Sequence, residues 1–136
     1  MATWRLVIEY DGRDFCGWQR QAGDRTVQET LEDGLEELFG GESITTHAAG
    51  RTDSGVHAFG QTVSFRATAS RDPDRVRMGL NTILPSDVSI VSAAIVDDSF
   101  HARRSATGKL YRYVVLARPD RSPFRAHRAL WLRHTF

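Results

Sequence analysis

No apolar run in this sequence approaches the ~20 residues that a membrane-spanning helix needs, so no spanning helix is expected. Cys16 is the only cysteine, which excludes a disulfide within the chain and fits a reducing, cytoplasmic setting. The opening residues MATWRLVIEYDG lack a charged lead-in followed by an apolar core, so no secretory signal is expected. Repeats and low-complexity runs are missing, and hydrophobic residues make up 40% of the 136, so the composition excludes a disordered tail, a collagen-like chain and a small disulfide scaffold. Such a length predicts a domain that buries roughly two thirds of its unfolded surface.

Charge of one sign is lacking in the sum but not in the distribution. The net charge is +1, yet acids crowd residues 29–42, and residues 103–133 hold nine bases against one acid, Asp120. Of 18 basic residues only Lys109 is lysine. Codon bias explains part of that preference, but arginine's planar fork also suits phosphate, which makes nucleic acid a partner to consider.

Alternation of Trp4, Leu6, Ile8 and Tyr10 against Arg5, Val7 and Glu9 predicts a first strand, closed by Asp11-Gly12. A helix is predicted from Val27 to Phe39, with Thr26 as cap, Glu29 completing a capping box, and an apolar stripe of Val27, Leu31, Leu35 and Leu38. Gly34 costs that helix about 1 kcal/mol relative to alanine. Strands are predicted over Ile44 to Ala48 and Thr62 to Arg66. Asp72 and Pro73 start a second helix that Pro85 stops, its buried face being Val76, Leu80, Ile83 and Leu84. Val88 to Ile95 and Tyr111 to Leu116 complete the strands. The order β-α-β-β-α-β plus one strand predicts an α+β, ferredoxin-like (split βαβ) fold, a largely antiparallel sheet with two helices on one face. Residues 1–117 are read as one α+β unit. Residues 118–136, opening with arginine- and proline-rich RPDRSPFRAHR, are read as an exposed connection followed by a short, unpaired strand at Ala129 to Leu132.

The chemistry concentrates in AAGRTDSGVHAFGQ, a connection too long for a tight hairpin and punctuated by glycine. Arg51 and Asp53 stand two apart, so an extended backbone puts both on one face as a charge-assisted pair. A neighbouring guanidinium keeps an aspartate ionised, which suits a nucleophile. On spacing alone, an ordinary turn aspartate is the commoner identity for such a residue. Ser54 and His57 lack the G-x-S-x-G elbow and are rejected as a hydrolase pair. The five histidines (His47, His57, His101, His127 and His134) lack metal-ligand spacing and read as polar surface or loop residues. No G-K-[ST] ending marks a phosphate-binding loop. Tyr111, beside Lys109 and Arg112, offers a ring to stack on an unstacked base, whereas Tyr113 is expected in the core. Trp4 and Trp131 are also expected there, and Trp18 is either a lid over the core or a nucleic-acid contact.

EYDGRDFCGWQRQ, TVQETLE, AGRTDSGVHAFGQTVSF, LNTILPSDV and FHARRSATGKLYRY, in that order, resemble the tRNA pseudouridine synthase A family, with GRTDSGVHA the most specific piece. The resemblance implies an enzyme that isomerises uridine to pseudouridine in the anticodon stem-loop of tRNA, around positions 38 to 40, without cofactor or metal. It places the catalytic aspartate on Asp53, the active-site tyrosine on Tyr111, and on Arg51 the arginine that pairs with the aspartate and helps evict the uridine. The target base must be flipped out of its stack. Asp53 then attacks C1′ or C6, and whether Tyr111 also takes the C5 proton stays open. Arg20, Arg103, Arg104 and Arg112, with Arg118, Arg121 and Arg125, are the expected phosphate contacts, and a homodimer is expected. The resemblance spans nearly all of this chain but only the N-terminal half of the family's pattern. A second reading is therefore a non-catalytic RNA-binding or assembly fragment. A third, a two-carboxylate glycosidase, needs an acid such as Asp11 or Asp97 beside Asp53.

Overall fold

Trp4, Leu6 and Ile8 of the first strand are fully buried, with Tyr10 nearly so, and that stripe organises the molecule. In a computed structural model, which describes residues 1–126 and 128–133, β1 (Ala2–Tyr10) is a central strand flanked on both sides by antiparallel partners. β2 (His47–Ala48), β3 (Ala58–Ala67) and β4 (Val88–Val96) complete a four-stranded sheet in the order β2-β3-β1-β4. This is the ferredoxin-like arrangement expected from the element order. Each partner of β1 carries one extra residue. The register with β3 slips between Ile8 and Tyr10, and that with β4 between Val7 and Ile8, which turns Phe59 and Val91 outward.

α1 (Val27–Leu38) and α2 (Pro73–Ile83) cover one sheet face. Thr26 Oγ1 accepts the Glu29 N–H at 3.3 Å, and Asp72 caps α2 through the Arg75 N–H at 3.2 Å. Val27, Leu31 and Leu35 meet Val76 and Leu80 over Trp4, Leu6, Ile8, Val63 and Phe65 in one core. Trp4 stacks on Phe65 at 5.8 Å and meets Phe39 edge-on at 5.9 Å. Gly34 packs close to the end of α2, where a Cβ would lie 3.1 Å from a Leu84 methyl. Trp18 is 1% exposed, so it belongs to the core.

Five expectations need correction. The strand predicted over Ile44 to Ala48 is paired only at His47–Ala48. Upstream, α1 takes the backbone groups that a ladder would use: Glu32 Oε2 accepts the Thr46 N–H at 2.7 Å, and Gln28 donates to the Thr46 carbonyl at 3.0 Å. Tyr111 to Leu116 is not a strand of the main sheet; β5 is Val115–Ala117. Leu130–Leu132, β6, is not unpaired, because it runs parallel to β5 in a separate two-stranded sheet. Tyr113 is 90% exposed rather than core, and Trp131 lies outside the core, its Nε1 donating to the Arg118 carbonyl at 3.0 Å. His127 and His134 lie outside the described residues.

Candidate active site

Residues 49–57 join β2 to β3, and polar segment 10–18 grips this loop along its length. Ala49 N–H donates to the Thr62 carbonyl at 2.9 Å, and the Gln61 amide brackets Gly50, accepting from its N–H at 3.3 Å and donating to its carbonyl at 2.6 Å. The Thr52 carbonyl accepts the Trp18 N–H at 3.1 Å, while the Thr52 and Tyr10 hydroxyls share a 2.7 Å bond. The Phe15 carbonyl accepts from Gly55 N–H at 3.1 Å and Ser54 Oγ at 3.3 Å. At the loop's end, His57 Nδ1 accepts the Gly12 N–H at 2.9 Å. His57 is thus a structural tie, consistent with its rejection as half of a hydrolase pair.

Two glycines let the segments approach. A Cβ at Gly12 would lie 1.9 Å from the Val56 carbonyl oxygen. Gly17, at φ +81°, would place one 2.7 Å from the Thr52 oxygen.

The ties fall on residues 49, 50, 52, 54, 55 and 57 and leave out Arg51 and Asp53. Both side chains are exposed and have no hydrogen-bond or ion-pair partner among the described residues. The expected Arg51–Asp53 pair is therefore absent. Extended backbone was its premise, and the chain turns at Asp53, whose carbonyl accepts the Val56 N–H at 3.1 Å. Arg51 instead joins Arg103, Arg104, Lys109, His47 and His101 around a concavity of about 720 Å³ floored by Trp18. No acid lines it, and none of the four permanent cations is ion-paired among the described residues. Such a wall focuses positive potential on an anionic ligand. Burial first, then Arg104, His47 and Arg103, push His101 below the ordinary imidazole range, so it stays neutral next to these cations.

Asp53 and Tyr111 do not line this concavity. Tyr111 is 62% exposed on the irregular stretch before β5, and Arg112 is exposed beside it. Arg20 is turned toward α1, 3.5 Å from Glu29 and 3.1 Å from Glu32. A smaller recess of about 240 Å³ contains Asp11 and Asp87. Arg128 holds Asp11 at 3.0 Å and Arg25 holds Asp87 at 2.9 Å. The Arg13 backbone N–H, aided by Arg128, keeps Asp11 below the usual carboxylate range, so Asp11 is not poised as a proton donor. Among the described residues no three side chains converge as metal ligands.

Sequence reasoning missed Tyr10, Gln61, His47 and His101. Only Gln61 had a readable signal, a polar residue in line with Val63 and Phe65 on the inward face of β3. The others depend on contacts across long sequence separations.

The family model described as tRNA pseudouridine synthase matches residues 6–103. Among curated relatives, a tRNA pseudouridine synthase A of Streptococcus equi subsp. equi (strain 4047) is 44% identical over 129 residues, covering 95% of this chain and 52% of the relative. Another from Clostridium botulinum (strain Alaska E43 / Type E3) is 44% identical over 124 residues, covering 91% and 50%. The chain spans about half the length of the curated relatives it matches. Matched by that family model over residues 6–103 and by these relatives over most of its length, the chain belongs to the tRNA pseudouridine synthase family.

Proposed function

We propose that this chain is the nucleophile-bearing part of an enzyme that converts uridine to pseudouridine in tRNA, acting in the anticodon stem-loop around positions 38 to 40. The observation that carries the reading is the selective tethering of loop 49–57, which holds the backbone on both sides of Arg51 and Asp53 and leaves their side chains free for substrate. Flipping the target uridine costs a few kcal/mol, repaid by new contacts, with Arg51 entering the vacated stack and Tyr111 covering the extruded ring. Asp53 attacks C1′ or C6. In either case the N1–C1′ bond breaks, C5–C1′ forms, the C5 proton leaves and N1 regains a proton, so the reaction is redox-neutral. Arg103, Arg104 and Lys109 contact phosphates, joined by Arg112 and by Arg20, whose guanidinium is held against α1.

Tritium release from tRNA labelled at uridine C5, catalysed by the full-length protein containing this chain, tests the reading. Asp53→Asn is expected to abolish release while leaving tRNA binding intact, and wild-type release by that variant would remove Asp53 from the chemistry. A cytoplasmic homodimer is part of the same proposal, testable by sedimentation. The second reading, RNA binding without turnover by the 136-residue chain alone, is the weaker one, because the relatives named above are tRNA pseudouridine synthases. It predicts salt-sensitive tRNA binding that Asp53→Asn does not change, with no label released.

A further inference from the structure

The sheet face away from the helices is crossed by a strap, residues 97–105, which leaves β4 and meets the other three strands one peg at a time. On β1, Thr3 Oγ1 donates to Asp98 at 3.1 Å. On β3, Ser64 Oγ accepts the Ala102 N–H at 2.9 Å, with Ser64 3% and Ala102 1% exposed. On β2, the His47 ring lies 4.7 Å from that of His101. Thr3, Ser64 and His47 occupy the positions whose sequence neighbours Trp4, Val63, Phe65 and Ala48 are buried in the core, so alternation points all three at the strap.

The Ser64 peg falls within a closed turn of the strap. Ser105 N–H donates to the His101 carbonyl at 2.7 Å, Ser105 Oγ accepts the His101 N–H at 3.0 Å, and His101 Nδ1 accepts the N–H groups of Arg103 and Arg104 at 3.2 and 3.3 Å. The two arginines thus stand on a fixed backbone at the rim of the basic concavity. Fixing the backbone beforehand removes part of the ordering cost of anion binding.

We infer that Ser64 is a positioning residue for RNA: by fixing the strap to β3 it holds the Arg103–Arg104 turn where both guanidinium groups engage RNA phosphates. The inference rests on the tRNA reading above, and the experiment separates the two. The full-length protein containing this chain is titrated with tRNA over a range of salt concentrations, as wild type, Ser64→Ala, Ser64→Thr, Asp98→Ala and the double variant Arg103→Ala/Arg104→Ala. The double variant is expected to lower the slope of log affinity against log salt by about one to two. Ser64→Ala should reproduce much of that loss and speed hydrogen exchange of the Ala102 amide, and Ser64→Thr should restore both. Exposed Asp98→Ala leaves the core untouched and is expected to weaken binding in the same direction by less. Wild-type affinity and slope for both Ser64→Ala and Asp98→Ala, beside a clear loss in the double variant, overturn the role of Ser64 and leave the tRNA reading standing. No salt-dependent tRNA binding by the wild type overturns both.

Discussion

Gly12→Ala probes how much the reaction depends on where loop 49–57 sits. Gly12 is not among the glycines at positive φ, so alanine suits its backbone and the effect is one of contact. The new Cβ would lie 1.9 Å from the Val56 carbonyl oxygen, 2.5 Å from the Val56 carbonyl carbon and 3.0 Å from that of Gly55. All three are backbone atoms, so no side-chain rotation relieves the clash, and loop and turn must separate by about 1 Å to reach even the tightest tolerated approach. That movement also breaks the 2.9 Å bond from Gly12 N–H to His57, worth roughly 0.5–1.5 kcal/mol. A misplacement near 1 Å at a reacting group costs on the order of 100-fold in rate. The assay is tritium release at saturating tRNA by the full-length protein, with thermal melting alongside. Gly23→Ala is the control: it strains a residue at φ +81° with nothing within 4 Å, so it costs stability without moving the loop. If Gly12→Ala loses no more turnover than Gly23→Ala, the idea that loop position governs the chemistry is wrong.

Three further outcomes are expected. Glu32→Ala leaves the buried Thr46 N–H without its acceptor and releases Arg20, which should cost about 2–4 kcal/mol by urea unfolding, with Glu32→Gln costing less. Thr26→Ala removes the α1 cap and should cost about 1 kcal/mol in the same measurement. Because His101 lies below its unfolded value near 6.5, the unfolded chain binds a proton that the folded one refuses as pH drops beneath that value. Stability should therefore fall with falling pH across that window until the folded-state value is passed. His101→Gln should flatten this slope in melts taken between pH 7 and 5, and an unchanged slope would refute the assignment.

What the sequence determined by itself was whatever depends on neighbours along the chain. Alternation through Trp4, Leu6, Ile8 and Tyr10, the Thr26 and Asp72 caps and the stop at Pro85 are local signals, and the split βαβ order followed from them. Period-2 patterning also marked Tyr111 to Leu116 as a strand, yet a pattern names a surface and not its partner. β4 occupies the far side of β1, and Leu110, Tyr111 and Tyr113 remain 90%, 62% and 90% exposed. Tertiary structure alone decided that Thr46 serves α1 instead of β3, that Trp18 is core, and that Arg51 faces a basic concavity and not Asp53. Each of those outcomes turns on which backbone groups and charges meet across long sequence separations, a competition settled by packing geometry and invisible to spacing.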